Sequence, residues 1–507
     1  MPPGGSPGTS PACLGIIAAL SVLALAPTLA VPIPAMADYP NHLARMYLLS
    51  GEAPHPHYRV AFALYPNLAL DLLVPPLARL VDVETATRLF LLASQVLVLT
   101  GALALDYAVK RRLHLAGFGA LLALNSVPFA WGFLNFAFGL GIALWGLAAW
   151  IALPRRAWAA RALVHVAVTA ACFLAHLFSL GLYGFVLGLH ELWRVWTRRA
   201  TPPECAARLA LLAAPAVALA GLMAASGGAV GQAGTAWQVA AKPFWLVAIL
   251  DGYDVVVSVA SGTALILLVA GLARRGALAF EASGAVVAAG LALLYLAMPG
   301  RLQDTAFVDL RILTAALLIV PAFLTLTLAP RARIAVAAAA SALILVNVAW
   351  AGTLWWSYRR DYADLIASFG RIERRARVLV AHSGAGQDPP LADLAAYPMY
   401  NAPTLAVHYA DAFVPTLFTA AGKQPVTVRA ESRRLAVPYG GPVPMAELRA
   451  LAAGLPAPGA PAYARDWTRD FGYLYVVGPQ DGNPMPERLE PLAASRRFGL
   501  YRIRRAP

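Results

Sequence analysis

Eleven apolar runs, at about 14–34, 86–107, 115–130, 135–153, 159–176, 178–194, 206–225, 256–273, 277–298, 310–329 and 333–355, alternate with polar connections through the first two thirds of the chain. Each is bounded by charge, Pro or Gly, and most reach the roughly 20 residues that a helix needs to cross about 30 Å of hydrocarbon. Past residue 358 the pattern changes to dense Arg, Asp, Pro and Gly broken by short apolar runs at 377–380 and 473–477, which predict strands among helices and turns. The pattern predicts an all-α polytopic membrane domain of about eleven spans over 14–357, with a long first outer loop at 35–85. A small α/β domain follows at 358–507, entered through an amphipathic helix over 358–377, and a Pro/Gly-rich disordered tail covers 1–13.

Two stretches admit alternatives. Residues 159–194 read either as one long tilted helix or as two short ones joined near His176. Ala35-Met36-Ala37 has the small-x-small form of a signal-peptidase site, yet no Lys or Arg precedes the first apolar run, which favours an uncleaved first span.

Composition agrees with the membrane class: 60% of the 507 residues are hydrophobic and 13% charged, too little polar surface to clothe a soluble globule. The net charge of +14 would suit a nucleic-acid binder, so its placement matters. Basic clusters stand at Lys110-Arg111-Arg112, Arg155-Arg156, Arg194 with Arg198-Arg199, Arg274-Arg275 and Arg331 with Arg333, each after an even-numbered span. With a cytoplasmic N-terminus all of them fall on the cytoplasmic face, so the charge reads as orientation and no nucleic-acid partner is expected. The same orientation makes the C-terminal domain extracytoplasmic and the protein a multi-pass component of a bacterial-type inner or plasma membrane. Two-sided flanking by Arg155 and Arg198 also favours two helices over 159–194. Cys13, Cys172 and Cys205 lie in or beside spans and imply no disulfide framework.

Short basic connections on one face leave the outer loops 35–85, 226–255 and 299–309 as the place for chemistry. Asp38-Tyr39-Pro40-Asn41-His42-Leu43-Ala44-Arg45 is the densest polar group there. On a helix Asp38, His42 and Arg45 recur at i, i+4 and i+7 and share a face, bringing together a carboxylate, an imidazole and a guanidinium. The plain alternative is that Asp38 caps the helix before Pro40 while His42 and Arg45 wet its surface. In the outer segment 298–311, Arg301 follows a Pro-Gly turn, and Asp304, Asp309 and Arg311 stand at a helix entry, as functional groups or as caps and snorkelling side chains. His176 marks the hairpin apex, facing a cavity or packed by hydrogen bonds. The aromatic turn 125–136 suits either sugar stacking or an interfacial belt. Residues 401–418 either cover a cavity or supply the small domain's core through Tyr409, Phe413 and Phe418. His55-Pro56-His57 lacks a third metal ligand nearby, and no phosphate loop, dinucleotide fingerprint, Cys-x-x-Cys pair or serine elbow occurs.

An acidic residue just after the first span, then an aromatic, a helix carrying Ala44-Arg45, and further on Pro75-Pro76-Leu77 and Thr87-Arg88-Leu89, resembles the GT-C membrane glycosyltransferases. The likeness is to the branch of aminoarabinose transferases and protein O-mannosyltransferases, with Tyr39 where that family usually has Glu. The resemblance implies a sugar donor on a polyprenyl phosphate, an extracytoplasmic site, and a carboxylate at Asp38 that activates the acceptor. His42 and His176 would line that site, with Asp309. The anionic leaving group requires cations, for which Arg45, Arg301 and Arg311 are the outer candidates. Some members use a divalent cation near the catalytic acid, and nothing in this sequence specifies one. Partners so implied are membrane lipids and the lipid-linked donor. Two other classes stay open: a transporter, expected to show repeated halves or broken helices, and a non-catalytic envelope assembly protein, in which Asp38, Arg45, Arg301 and Arg311 would be dispensable.

Overall fold

The computed structural model describes residues 11–51, 54–113, 115–154, 156–225, 234–302, 305–383, 394–437, 441–478 and 482–505. The tail 1–10, Arg155 and Asp304 lie outside them. Each of the eleven apolar runs carries a helix: α1 (Pro11–Ala30), α2 (Tyr39–Ser50), α3 (Ala69–Leu77), α4 (Val83–Lys110), α5 (Ala116–Ala123), α6 (Val127–Trp131), α7 (Leu134–Ala152), α8 (Trp158–Ala175), α9 (Leu177–Trp196), α10 (Pro202–Ala225), α11 (Lys242–Ala248), α12 (Val255–Arg274), α13 (Gly284–Ala297), α14 (Val308–Ile319) and α15 (Pro330–Phe369) include them all, with α2, α3 and α11 in the outer loops.

Among the described residues seven of these, α1, α4, α7, α8, α10, α12 and α15, are long and apolar enough to cross a membrane. The other four predicted spans are shorter or more polar, for local reasons. Pro128 stands in the first turn of α6, where its missing N–H costs nothing, and separates α6 from α5. α9 carries Glu191 and Arg194 in its last turns. α13 is preceded by a strand, Leu278–Phe280, and α14 stops at Pro321, which sits in a 3-10 turn before the strand Leu324–Leu326; the two strands pair antiparallel. Residues 159–194 form two helices. His176, in extended conformation (φ −166°, ψ 124°), breaks them, and its imidazole accepts from the Phe178 N–H to cap α9.

The chain divides into two compact units, one of 1–29, 66–69 and 91–352, the other of 30–65, 70–90 and 353–507. In the first, α7 packs on α8 and α9, α10 on the same two helices, and α14 on α5 and α13. A buried polar knot ties α7 to α10: Glu191 accepts from Trp150 Nε1 (2.9 Å), Arg194 (2.8 Å) and Arg208 (3.2 Å), and Arg161 stacks 4.2 Å over the Trp150 ring. Charges inside a bundle survive only when paired in this way.

In the second unit five strands lie in the order Leu489–Ala494, Phe498–Ile503, Tyr473–Val477, Val378–His382, Val443–Pro444, the last three mutually parallel and the first two antiparallel. Runs 377–380 and 473–477 are thus the central strands, fully buried as their unbroken apolar character requires. Continuity differs from expectation in one place: the amphipathic helix predicted from 358 is the last twelve residues of α15, which runs unbroken to Phe369. Grouping differs in another. Most of the loop 35–85, read from the sequence as part of the membrane domain, groups with the C-terminal residues, all but 66–69, because Tyr58–Val60 pairs antiparallel with Val426–Val428 and Tyr58 donates to the Val414 carbonyl (2.9 Å).

Candidate active site

Asp38 occupies the N-cap position of α2, with Pro40 in the first turn, yet its carboxylate makes no capping bond. It accepts instead from Asn401 Nδ2 (3.4 Å), an amide that also donates to the Ala37 carbonyl (3.0 Å). Asn41, one turn in, donates to the Thr416 carbonyl (3.2 Å) and accepts from the Phe418 N–H (2.8 Å). These bonds hold the start of α2 against 401–418, so the two polar segments singled out in the sequence meet within one unit. Asp38 is half-buried, whereas Tyr39 beside it is fully buried. Burial pushes the Tyr39 phenol well above its ordinary range.

His42 is 9% exposed with its ring edge-on to Phe418, centroids 6.1 Å apart. Arg45 is buried, and its guanidinium forks onto Asp71 of α3 (Nε to Oδ1 2.7 Å, Nη2 to Oδ2 3.0 Å). Its bidentate edge is therefore committed to a protein carboxylate. His55 and His57 also bond within the protein, His55 Nε2 with the Asp411 carbonyl (2.8 Å) and His57 Nδ1 with Ser432 Oγ (2.8 Å). Phe413 is core, as the plain reading of 401–418 has it, but Tyr409 and Phe418 are half-buried; Tyr409 donates to Glu84 (2.5 Å).

In the other unit His176 and Arg311 come together. Arg311, in the first turn of α14 and 5% exposed, brings Nη1 to 3.4 Å from His176 Nε2, with its guanidinium 4.5 Å over the Phe133 ring and 5.5 Å from that of Phe136. Since His176 Nδ1 accepts from Phe178 N (3.1 Å), the neutral imidazole carries its proton on Nε2. Two donors thus face each other across 3.4 Å. Trp131 and Phe307 extend the aromatic wall, rings 5.0 Å apart. Phe307 takes a left-handed backbone (φ 57°) to enter α14. Asp309 points elsewhere, to the buried Lys242 (3.3 Å), which also donates to the carbonyls of Tyr295 (2.6 Å) and Met298 (2.9 Å). Arg301 is exposed in a two-residue strand paired with Thr305–Ala306.

Several groups escaped the sequence reading. Asp71 is a lone acid in the apolar run 68–74 and Lys242 one of few lysines, isolated charges that call for a buried partner. Asn401 opens the segment 401–418, and nothing in its sequence marks it as a partner of Asp38. Asp251, fully buried between α11 and α12, accepts from the N–H groups of Tyr253 (2.7 Å) and Asp254 (3.2 Å), and burial pushes its carboxyl up to about 7. Among the described residues no three His, Cys, Asp or Glu side chains group as metal ligands, so no step is assigned to a divalent ion.

No protein-family model matches the chain, and no curated protein matches it in sequence. Solved structures do. The crystal structure of ArnT from Cupriavidus metallidurans bound to undecaprenyl phosphate superposes with a TM-score of 0.52 over 96% of this chain and 97% of that one, at 11% identity. The same protein in the apo state gives 0.49 over 97% and 98%, again at 11% identity. With its apolar helices and small C-terminal sheet domain, the chain is an integral, multi-pass membrane protein with a GT-C-like fold, similar over nearly its whole length to that of an aminoarabinose transferase.

Proposed function

We propose that this protein is a membrane glycosyltransferase of the GT-C type, moving a sugar from a polyprenyl-phosphate carrier to an envelope lipid, polysaccharide or protein on the extracytoplasmic side. The observation that carries the reading is a half-buried Asp38 carboxylate, at a helix start but not spent on capping it, on a fold similar to that of ArnT along 96% of the chain. That ArnT was crystallised with undecaprenyl phosphate supports the same class of lipid as the donor's carrier here.

In this reaction Asp38 accepts the proton of the acceptor hydroxyl or amine as that atom attacks the anomeric carbon. The bond from that carbon to the phosphate oxygen breaks, the configuration inverts, and the polyprenyl phosphate leaves as an anion. Holding the nucleophile in line supplies much of the rate, and cationic donors on the departing phosphate supply more. Within the other unit, Arg311 and the Nε2–H of His176, beside the Phe133 and Phe136 rings, have the donor chemistry that a phosphate anion takes. Asn401 orients Asp38, and His42 lines the acceptor side. Arg45 is held by Asp71 and Asp309 by Lys242, each pair within its own unit.

Replacing Asp38 by Asn keeps shape and removes the base. Transfer of radiolabelled sugar from a polyprenyl-phosphate donor in membranes is expected to fall by about 10²–10⁴-fold, the usual worth of a general base. Undiminished transfer by Asp38→Asn sinks the catalytic role.

A further inference from the structure

The membrane unit carries a groove of about 560 Å³ between α4 and α7, at the end where both helices meet basic residues. Its origin is a local crossing. A Cβ on Gly101 would lie 2.8 Å from Leu144 Cβ and 3.0 Å from the Gly141 carbonyl, and one on Gly141 would lie 2.7 Å from Leu97 Cβ. The missing side chains let the two backbones touch there, the device that packs helices in lipid. Beyond the crossing the helices run in the same direction, and their facing positions are Ala104, Ala108, Ala148, Ala149 and Ala152, too small to fill the space between them. A furrow results, walled by apolar side chains.

Three features say what covers it. From Thr100 to Arg111 the groove follows α4 for about 16 Å at 1.5 Å per residue, half of the roughly 30 Å hydrocarbon thickness, so it spans a single leaflet. At its deep end Trp145 is 46% exposed, with its indole N–H bonded to Thr100 Oγ1 (3.2 Å), a polar atom satisfied inside the furrow rather than in water. At its other end Arg111, exposed and in a left-handed backbone conformation (φ 56°), lines the mouth and is followed by Arg112, while Arg156 follows α7 at the same end. Lys110 does not join them, since it is consumed by Asp106 and the carbonyls of Pro321 and Leu324. An apolar channel one leaflet deep with guanidinium groups at its mouth matches one lipid: a phospholipid with an anionic headgroup.

We infer that this groove binds an anionic phospholipid of the leaflet at the Arg111 end, one acyl chain lying along the alanines of α4 and α7 and the phosphate held by Arg111. The site is distinct from the groups assigned to sugar transfer, and it stands whether or not that assignment does. Trp145 reports on it directly. In nanodiscs made with brominated phosphatidylglycerol or brominated phosphatidylcholine, the fluorescence lost between the wild-type protein and Trp145→Phe isolates the Trp145 signal.

The expected result is quenching at about five-fold lower mole fraction of phosphatidylglycerol than of phosphatidylcholine, the scale of one basic side chain against an anionic surface. Arg111→Gln, at an exposed position, should equalise the two lipids, and Ala104→Leu with Ala149→Leu should remove quenching by both. Equal quenching by the two lipids in the wild-type protein overturns the inference without reference to any variant. So does displacement of brominated phosphatidylglycerol by equimolar undecaprenyl phosphate, which would assign the groove to the polyprenyl carrier.

Discussion

Arg45 and Asp71 meet as a fork and a carboxylate with almost no exposure, so removing either strands the other. Arg45→Ala or Asp71→Ala is expected to cost about 3–5 kcal/mol, whereas the paired change Arg45→Met with Asp71→Leu should recover most of it; thermal unfolding in detergent measures both. His176 makes two separable contacts, and His176→Asn separates them: Asn retains an N-cap acceptor but offers no donor at the Nε2 position. The expected outcome is an unchanged Tm with a raised KM for the lipid-linked donor, and an equal fall in Tm would reduce His176 to a cap. Two titrating groups outside the spans, a half-buried His55 and a buried Asp251, pull stability in opposite directions with pH. Burial lowers His55 to about 4, so between about 6.5 and 4 the unfolded chain binds the extra proton and acidification destabilises the fold. Burial raises Asp251 to about 7, so stability contributed by its neutral form is present below about 4 and is lost as pH rises through 7. Asp251→Asn should therefore raise Tm at pH 8 and leave it unchanged at pH 4, while His55→Gln should flatten the loss between pH 6.5 and 4.

At the scale of elements, the apolar runs located all seven helices that, among the described residues, are long and apolar enough to cross a membrane, because a span must satisfy its backbone internally and advertise that in an unbroken apolar run. What it could not show is where a run changes conformation without changing polarity. The stretch 310–329 is uniformly apolar, yet Pro321 ends the helix and hands the chain to a strand. Tyr358 likewise marks a change in composition but not in backbone, and α15 continues through it. Site residues divide in the same way. Asp38 was legible from its position after a span, but whether it caps α2 depends on Asn401, a residue more than 360 positions away. Arg45 and Asp309 read as available charges only because their partners, Asp71 and Lys242, were isolated ions in apolar surroundings. Asn41→Ala tests the element-level role of the 401–418 contact: it removes two bonds to backbone, one of which leaves the Thr416 carbonyl without its partner, and should cost about 1–3 kcal/mol and make α2 more susceptible to protease.

For the whole molecule, the distribution of Arg and Lys predicts which side faces the cytoplasm. In a cysteine-free background, Leu455→Cys should react with an impermeant maleimide added to intact cells, and Arg275→Cys should react only after the membrane is opened; both positions are exposed. The reverse pattern would invert the topology and take the proposed extracytoplasmic chemistry with it. The pairing of Tyr58–Val60 with Val426–Val428 reaches into biosynthesis. At about 5–20 residues per second a ribosome needs roughly 20–70 s to make the intervening chain, and throughout that interval the nascent Asp38 segment lacks the strand and the Asn401 amide that will fix it. A chain stopped by a premature codon near residue 370 would carry all seven of the long apolar helices found among the described residues, yet its first loop would stay unfinished and open to proteases. The first loop is therefore completed late, by residues beyond 400 rather than by the helices made before them.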